Sequence, residues 1–296
     1  MMATPDSPDA VEWETKAEQL LRDNADVTVI SFPKCGRTWL SLMATSYIAR
    51  SMGRPDLAEH ITEGRLRTLI PERERDYVKT LIALREEGAT VPLIIFLHKV
   101  DYFRPYFFRQ PTASRTEKNI LLIRDPRDII VSFYHHVVHK NRGRISLKPK
   151  ARLSADTTLA EFIYSDLVGF RKVVAYLTDW LDWIAERDQS VVRYEDLVAD
   201  TDATLSVFLR AAGVEDPDPG LVTAVVEEFS FDSLRRAEKE RGPDRHDPSL
   251  RRMRKGKIGG FAAEADPREV AFMNDILEGA TNPWLARYVE APAAAE

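Results

Sequence analysis

The first strongly apolar stretch of the chain is short and uninterrupted, and a helical pattern follows it. Val27 to Ile30 is a run of β-branched residues, which is typical of a buried strand. Pro33 and Gly36 mark the next segment as a loop, and apolar residues then recur at helical spacing through 40–48, which predicts a helix that Thr38 can cap. Such a helix directs free N–H groups and the positive end of its dipole at the loop. The pattern therefore predicts a strand, a tight loop and a helix start that suit a phosphate or sulfate group.

Three more apolar runs have the length of strands, and helical patterns separate them. The runs cover 91–97, 120–123 and 190–193, and Pro126 stands at the first position of the helix after the second run. Strands that alternate with helices indicate parallel β-α-β units, so we predict an α/β fold in which helices flank a central parallel sheet. The helical patterns cover 11–22, 72–87, 126–134, 159–164 and 170–186, and most of the chain after 201 apart from a loop at 241–260.

Polar side chains follow each predicted strand. Lys34 follows the first strand, His98 and Lys99 the second, Arg124 the third and Tyr194 the fourth. In a parallel sheet the carboxyl ends of all strands lie at one edge, which is where α/β proteins bind their ligands. We therefore expect these side chains to line a single binding crevice.

Length, charge and cysteine content narrow the classes of partner. For 296 residues we expect one domain over 1–296, with disordered tails at about 1–10 and 291–296. A formal net charge of -5 argues against nucleic acid or an anionic membrane as the partner and favours a small molecule. No apolar run approaches the ~18 residues of a membrane span, and the single cysteine fits a reducing compartment. Because residues 1–14 lack the apolar core of a signal peptide, we expect a cytoplasmic protein.

The first loop differs from the loops of three common nucleotide and thiol sites. It lacks the two glycines and the Gly-Lys-Ser/Thr step of a triphosphate loop, and it lacks the G-x-G-x-x-G fingerprint of dinucleotide enzymes. Cys35 lies at a helix start beside cations, which can lower the pKa of a thiol, but a cysteine phosphatase would need an arginine at the position of Ser41. A small residue that fills the loop is the better interpretation of Cys35.

Three further segments of the sequence, at 32–40, 123–135 and 253–260, combine basic residues with glycine, proline or serine. In this order they resemble three motifs of the cytosolic-type sulfotransferases, which use 3′-phosphoadenosine 5′-phosphosulfate as donor. The first motif, at 32–40, is similar to the family's P-K-S-G-T-T-W-L loop around the 5′-phosphosulfate. The second, at 123–135, is similar to R-N-P-K-D-x-x-x-S-Y-Y-H, which holds the 3′-phosphate. The third, at 253–260, is similar to R-K-G-x-x-G, which reaches the same phosphate. The resemblance implies a single-domain, P-loop-NTPase-like sulfotransferase fold.

The resemblance also implies two anion sites, with an adenine site between them. The residues that would hold the 5′-phosphosulfate are Lys34, Cys35, Gly36, Arg37 and Thr38. Those that would hold the 3′-phosphate are Arg124, Ser132, Arg254, Lys255 and Gly256. Trp39 and Phe231 would sandwich the adenine and Tyr194 would contact it, with plain core packing as the alternative for the first two rings. The cofactor would be 3′-phosphoadenosine 5′-phosphosulfate, with adenosine 3′,5′-bisphosphate as its product, and no metal is called for.

Two residues would carry the chemistry. His98 matches the strand-end base that removes the proton of the acceptor hydroxyl in the family, and Lys34 would neutralise charge on the bridging oxygen as the phosphate leaves. We therefore predict transfer of a sulfuryl group to a hydroxyl, or less readily an amine, of a small molecule. The alternatives are another phosphate-loop transferase such as a kinase, and a nucleotide-binding scaffold without activity.

The chain departs from the family pattern at three places. Arg37 replaces the first of two threonines, and Gly260-Phe261 replaces an Asp-Trp pair. Phe96 stands where many relatives keep a lysine, with Lys99 as a candidate substitute. The acceptor pocket is expected from 57–84, 102–108 and 141–150, which carry no motif, so the acceptor's identity stays open. The oligomeric state stays open as well, with a homodimer as one option.

Overall fold

The computed structural model of the protein describes residues 24–55, 80–97, 118–140, 154, 156–187, 189–239 and 256–290. Outside these residues lie the predicted helix at 11–22, the tails at 1–10 and 291–296, the acceptor segments at 102–108 and 141–150, and the part 57–79 of the acceptor segment at 57–84. The strands are β1 (Val27–Ser31), β2 (Ile94–Leu97), β3 (Lys118–Ile123) and β4 (Ser190–Arg193). The helices are α1 (Arg37–Ser51), α2 (Pro126–Tyr134), α3 (Leu159–Tyr164), α4 (Phe170–Ala185), α5 (Tyr194–Ala199), α6 (Thr201–Ala211), α7 (Pro219–Glu228), α8 (Phe231–Lys239), α9 (Pro267–Glu278) and α10 (Pro283–Glu290).

The four strands form one parallel sheet in the order β2-β1-β3-β4. The chain leaves β1 towards β2 on one side and leaves β3 towards β4 on the other. Where two neighbouring strands send their connections in opposite directions, a crevice opens at their carboxyl ends. The sheet therefore places its crevice between the loops that follow β1 and β3, which hold the first two motifs.

Helices cover the sheet and bury β1 completely. One group of helices consists of α1 packed with α6 and α7, and another consists of α2 packed with α3 and α4. Phe32, directly after β1, is 3% exposed and meets Phe133 of α2 and Tyr176 of α4 edge-to-face, with ring centroids 5.3 Å apart in both pairs. This aromatic cluster anchors the base of the first loop in the core. No helix within the described residues is long and apolar enough to cross a membrane.

The predicted fold class is confirmed, and most predicted elements begin and end near their expected residues. Pro126 is the first residue of α2, whose N-cap Asp125 accepts a hydrogen bond from the N–H of Arg127. Gly88, the residue after the predicted helix at 72–87, has φ of +97° and follows helical residues 80–86. The expectation that Thr38 caps α1 is wrong, because Gly36 is the N-cap and Thr38 lies within the first turn. The glycine takes this position because the loop needs positive φ there.

Candidate functional site

The loop after β1 is tightly turned at two residues. Lys34 has φ of +78° and is the non-glycine residue with positive φ in the described part of the chain, while Gly36 has φ of +89°. A left-handed lysine stores backbone strain of the kind that clusters at binding sites. Behind this loop, the first N–H groups of α1 lack partners within the helix and point back towards it, as the first turn of any helix does. The loop can therefore receive an anion from the main chain, with half-buried Lys34, Arg37 and Thr38 beside it.

The ring of Tyr194, the first residue of α5, closes over this loop. A Cβ atom on Gly36 would lie 2.5 Å from Cδ2 and 2.9 Å from Cε2 of Tyr194, closer than real Cβ contacts. The indole of Trp39 meets the same ring edge-to-face at 6.3 Å and donates a hydrogen bond from Nε1 to the carbonyl of Phe229 at 2.9 Å. Burial raises the pKa of the Tyr194 hydroxyl, so the ring stays neutral. Gly36 is therefore required by a ring from a distant part of the chain as well as by its own φ.

Arg124, at the end of β3, joins all three motifs. Its Nη1 donates to the carbonyl of Lys34 at 3.2 Å, and its Nη2 donates to the carbonyl of Lys257 at 3.0 Å. The guanidinium carbon lies 4.4 Å from the centroid of the Tyr194 ring. Its Nε is buried without a hydrogen-bond partner among the described residues, and the side chain is 12% exposed. A buried, unpaired donor on a cation at a sheet edge suits an anion, because such a donor otherwise costs free energy.

The third motif continues into a turn that packs against α8. Gly256 has φ of +65°, and a Cβ atom there would lie 2.4 Å from Cε2 of Phe231. The turn is held further on by Asp128 of α2, whose carboxylate oxygens accept hydrogen bonds from the N–H of Gly259 at 2.9 Å and of Phe261 at 3.1 Å. The main chain of the third motif thus lies directly over the helix of the second.

Arg127, the second arginine of the motif at 123–135, has a different role from Arg124. Arg127 is 5% exposed and forms a two-point ion pair with Asp125, at 3.0 Å from Nε to Oδ1 and 2.7 Å from Nη2 to Oδ2. Its remaining donors reach Asn274 at 2.9 Å and the carbonyl of Tyr288 at 2.5 Å. Arg127 is turned into the protein interior, where it ties α2 to α9 and α10.

A buried glutamate links this interior network to the site. The carboxylate of Glu195 accepts from the N–H of Asp125 at 2.8 Å and from the hydroxyl of Tyr288 at 3.1 Å. Burial raises the pKa of this carboxyl group, while the hydrogen bond from Asp125 opposes the rise. Glu195 follows Tyr194 in the chain, so the network also fixes the helix start that carries the ring.

Three further predicted residues, Cys35, Ser132 and Arg37, contact the rest of the site less directly. Cys35 is 0% exposed, and burial raises the pKa of its thiol well above the ordinary value, which agrees with a small residue that fills the loop and argues against a nucleophilic thiol. Ser132 lies half-buried near the end of α2. Arg37 donates from Nη1 to the carbonyl of Phe96 at 3.0 Å, which links the start of α1 to the end of β2.

The structure brings most of the predicted site together and leaves part of it undescribed. Residues from the β1 loop, the end of β3, α5, α8 and the turn after 256 form one continuous set of contacts. The predicted residues that lie outside the described part of the chain are His98, Lys99, Arg254 and Lys255. The polar residues that sequence reasoning missed are Asp128, Glu195 and the main chain of Lys257. A usable signal for Asp128 was its place in the first turn of the helix that Asp125 and Pro126 begin, where an acidic side chain is favoured.

Fold and site together define a class: an α/β protein with a P-loop-like parallel sheet and a crevice at its switch point whose lining suits an anion. The family model of the sulfotransferase domain matches residues 24–287, so the chain belongs to the sulfotransferase family, whose members are transferases. Among curated relatives, cytosolic sulfotransferase 17 of Arabidopsis thaliana is 26% identical over 272 residues, which cover 86% of this chain and 73% of that protein. Sulfotransferase 6B1 of Danio rerio is 25% identical over 186 residues, 62% of this chain, and the match spans about half of that protein, 54%.

A solved structure shows the same fold. The crystal structure of mouse sulfotransferase SULT7A1 complexed with PAP superposes with a TM-score of 0.56 and 16% sequence identity, covering 92% of this chain and 94% of that one. The predicted sulfotransferase resemblance and the predicted fold are thereby confirmed.

Proposed function

We propose that this sulfotransferase uses 3′-phosphoadenosine 5′-phosphosulfate as donor and a hydroxyl of a small molecule as acceptor, in the cytoplasm. One observation carries the proposal: Arg124 hydrogen-bonds the main chain of the first and third motifs at once, through the carbonyls of Lys34 and Lys257. A nucleotide with anionic groups at both ends of an adenosine needs two anion sites a short distance apart. The neighbouring structure of a mouse sulfotransferase was solved with PAP, which supports this class of ligand.

The residues present fit such a nucleotide. Two glycines, Gly36 and Gly256, let the rings of Tyr194 and Phe231 pack directly on the main chain of the first and third motifs, where any Cβ atom would collide. Arg124 keeps a buried Nε without a partner among the described residues, and an anion would satisfy it. Half-buried Trp39 and Phe231 supply apolar faces near both loops. When bound, the donor supplies the sulfuryl group at its 5′ end.

The chain's own residues would then perform three tasks. Lys34, Arg37, Thr38 and the N-terminus of α1 would bind the 5′ end and balance its charge. Arg124, Ser132, Arg254 and Gly256 would bind the 3′-phosphate, with Arg gripping it through two donors. His98 would accept the proton of the acceptor hydroxyl, a task for which imidazole is suited near neutral pH.

Calorimetry with adenosine 3′,5′-bisphosphate tests the nucleotide part. We expect the wild type to bind and Arg124→Ala to lose most of this affinity, because both the 3′-phosphate ligand and the link between the loops are removed. Arg85→Ala is the matched control, since Arg85 pairs with Asp26 at 2.9 Å beside the opposite, N-terminal ends of the strands. Equal affinity of wild type and Arg124→Ala, or no binding by the wild type, contradicts the proposal.

Turnover tests the catalytic part. His98→Ala should abolish sulfate transfer to a panel of phenols, alcohols and sugars while leaving the nucleotide affinity nearly unchanged, because a general base contributes about 10²–10⁴ in rate. Loss of both properties together would make His98 a structural residue. Nucleotide binding without transfer to any acceptor by the wild type would make the protein a nucleotide-binding scaffold instead.

A further inference from the structure

The turn at 259–261 is built around one buried carboxylate. The side chain of Asp128 is 2% exposed, and each of its oxygens accepts a main-chain hydrogen bond, from Gly259 at 2.9 Å and from Phe261 at 3.1 Å. Gly259 has φ of +72°, which turns the chain so that both N–H groups converge on the same group. Hydrogen bonds to an ionised acceptor are about twice as strong as neutral ones. Asp128 therefore anchors this turn to the first turn of α2.

The same carboxylate faces the arginine that joins the motifs. Oδ2 of Asp128 lies 3.4 Å from Nη2 of Arg124, and that Nη2 also donates to the carbonyl of Lys257 at 3.0 Å. The segment from Gly256 to Phe261 is thus held at two points, by Arg124 near its start and by Asp128 near its end. Its first residue, Gly256, lies against the ring of Phe231.

We propose that Asp128 is a positioning residue for the 3′-phosphate half of the nucleotide site, acting through Arg124 and the turn at 256–261. The inference rests on the nucleotide function proposed above. Asp128 itself need not touch the nucleotide. It determines where the guanidinium of Arg124 points and how closely the main chain at Gly256 approaches the 3′-phosphate. The 5′ half of the site, at the loop after β1, has its own anchor in the aromatic cluster around Phe32.

The role requires a carboxylate and not an amide. Burial raises the pKa of Asp128, while Arg124 and the N–H groups of Gly259 and Phe261 act in the opposite direction and favour the ionised form. An asparagine offers one acceptor oxygen and sets its own N–H groups against a main-chain N–H. It also removes the negative charge beside Arg124. The substitution Asp128→Asn therefore loosens the turn without changing the side-chain volume much.

Calorimetry of Asp128→Asn with two nucleotides tests the proposal. We expect the dissociation constant for adenosine 3′,5′-bisphosphate to rise by about 10-fold or more, while that for adenosine 5′-phosphate, which lacks the 3′-phosphate, changes by less than about 3-fold. Glu269→Gln is the matched control: Glu269 is 6% exposed and accepts the N–H of Asp266 at 3.0 Å in the cap of α9. It should leave both constants unchanged.

Amide hydrogen exchange without nucleotide gives a second readout. We expect faster exchange at 256–264 in Asp128→Asn, with exchange in α4 (Phe170–Ala185) unchanged. Equal weakening of both nucleotides, unchanged affinity for adenosine 3′,5′-bisphosphate, or unchanged exchange at 256–264 overturns the role of Asp128. If the wild type itself binds no adenosine 3′,5′-bisphosphate, the proposed function is wrong. If the wild type and Asp128→Asn bind it equally well, only the role of Asp128 is wrong.

Discussion

Replacing Gly36 by alanine separates the backbone requirement of the first loop from its packing against Tyr194. Gly36 has φ of +89°, and a Cβ atom there would lie 2.5 Å from Cδ2 of a tyrosine that is 7% exposed. Gly88 is the matched position: its φ is +97°, and no atom of the described residues lies within 4 Å of the place that a Cβ atom would take. The two substitutions therefore share the backbone strain and differ in the collision.

The magnitudes follow from these two contributions. A non-glycine residue with positive φ costs about 1–2 kcal/mol, and both variants incur this. Overpacking of a filled site adds about 1–3 kcal/mol, and only Gly36→Ala incurs that. We therefore expect Gly88→Ala to lower the free energy of unfolding by about 1–2 kcal/mol and Gly36→Ala by about 2–5 kcal/mol.

Urea unfolding of both variants measures this difference, and nucleotide binding shows its consequence. In the wild type the centroid of the Tyr194 ring lies 4.4 Å from the guanidinium carbon of Arg124. Because Gly36→Ala displaces this ring, it should also weaken adenosine 3′,5′-bisphosphate binding, whereas Gly88→Ala should not. In a double-mutant cycle, Tyr194→Ala should recover part of the stability lost in Gly36→Ala, because the collision is gone. Equal losses of stability in Gly36→Ala and Gly88→Ala, with no coupling to Tyr194, would refute this reasoning.

Three more outcomes are expected. Gly256→Ala should lower the affinity for adenosine 3′,5′-bisphosphate in calorimetry more than Gly53→Ala does. The two glycines have similar φ, +65° and +67°, but only a Cβ atom on Gly256 would meet a ring, at 2.4 Å. Equal affinities of the two variants would contradict this. Because burial raises the pKa of Glu195, the folded state binds its proton more tightly than the unfolded state, so the free energy of unfolding should fall as pH rises from the ordinary carboxyl pKa through the raised one. Urea unfolding across this pH range should show a smaller dependence of the free energy on pH for Glu195→Gln than for the wild type. An unchanged dependence would count against a raised pKa of Glu195. Arg127→Met leaves Asp125 buried without its partner and should cost about 3–5 kcal/mol in urea unfolding, and a loss below about 1 kcal/mol would show that the pair is dispensable.

Local patterns predicted the elements of this protein well. The β-branched run of β1 and the Asp-Pro start of α2 each depend on residues adjacent in the chain, so their conformations are encoded within a few positions. The cap of α1 was mispredicted because Thr38 has suitable chemistry for a cap, whereas the position of the cap depends on where the loop needs positive φ. The convergence of Lys34, Arg124 and Tyr194 followed from parallel strands alone.

Chain-local information could not separate residues of one motif by role. Arg124 and Arg127 have the same chemistry three residues apart, yet the first reaches two loops at the sheet edge and the second fills the interior. The direction of each arginine side chain depends on the acceptors near it. Arg127 points inward because Asp125, Asn274 and the carbonyl of Tyr288 accept its hydrogen bonds.

The strands and the order of the three motifs could therefore be predicted from the sequence, because side-chain chemistry and short-range periodicity carry that information. The strand order, the need for Gly36 beneath Tyr194 and the hydrogen bonds from Gly259 and Phe261 to Asp128 became visible only in the folded chain. The physical reason is that these depend on groups that are distant in the chain and become neighbours only when the sheet and its helices have packed.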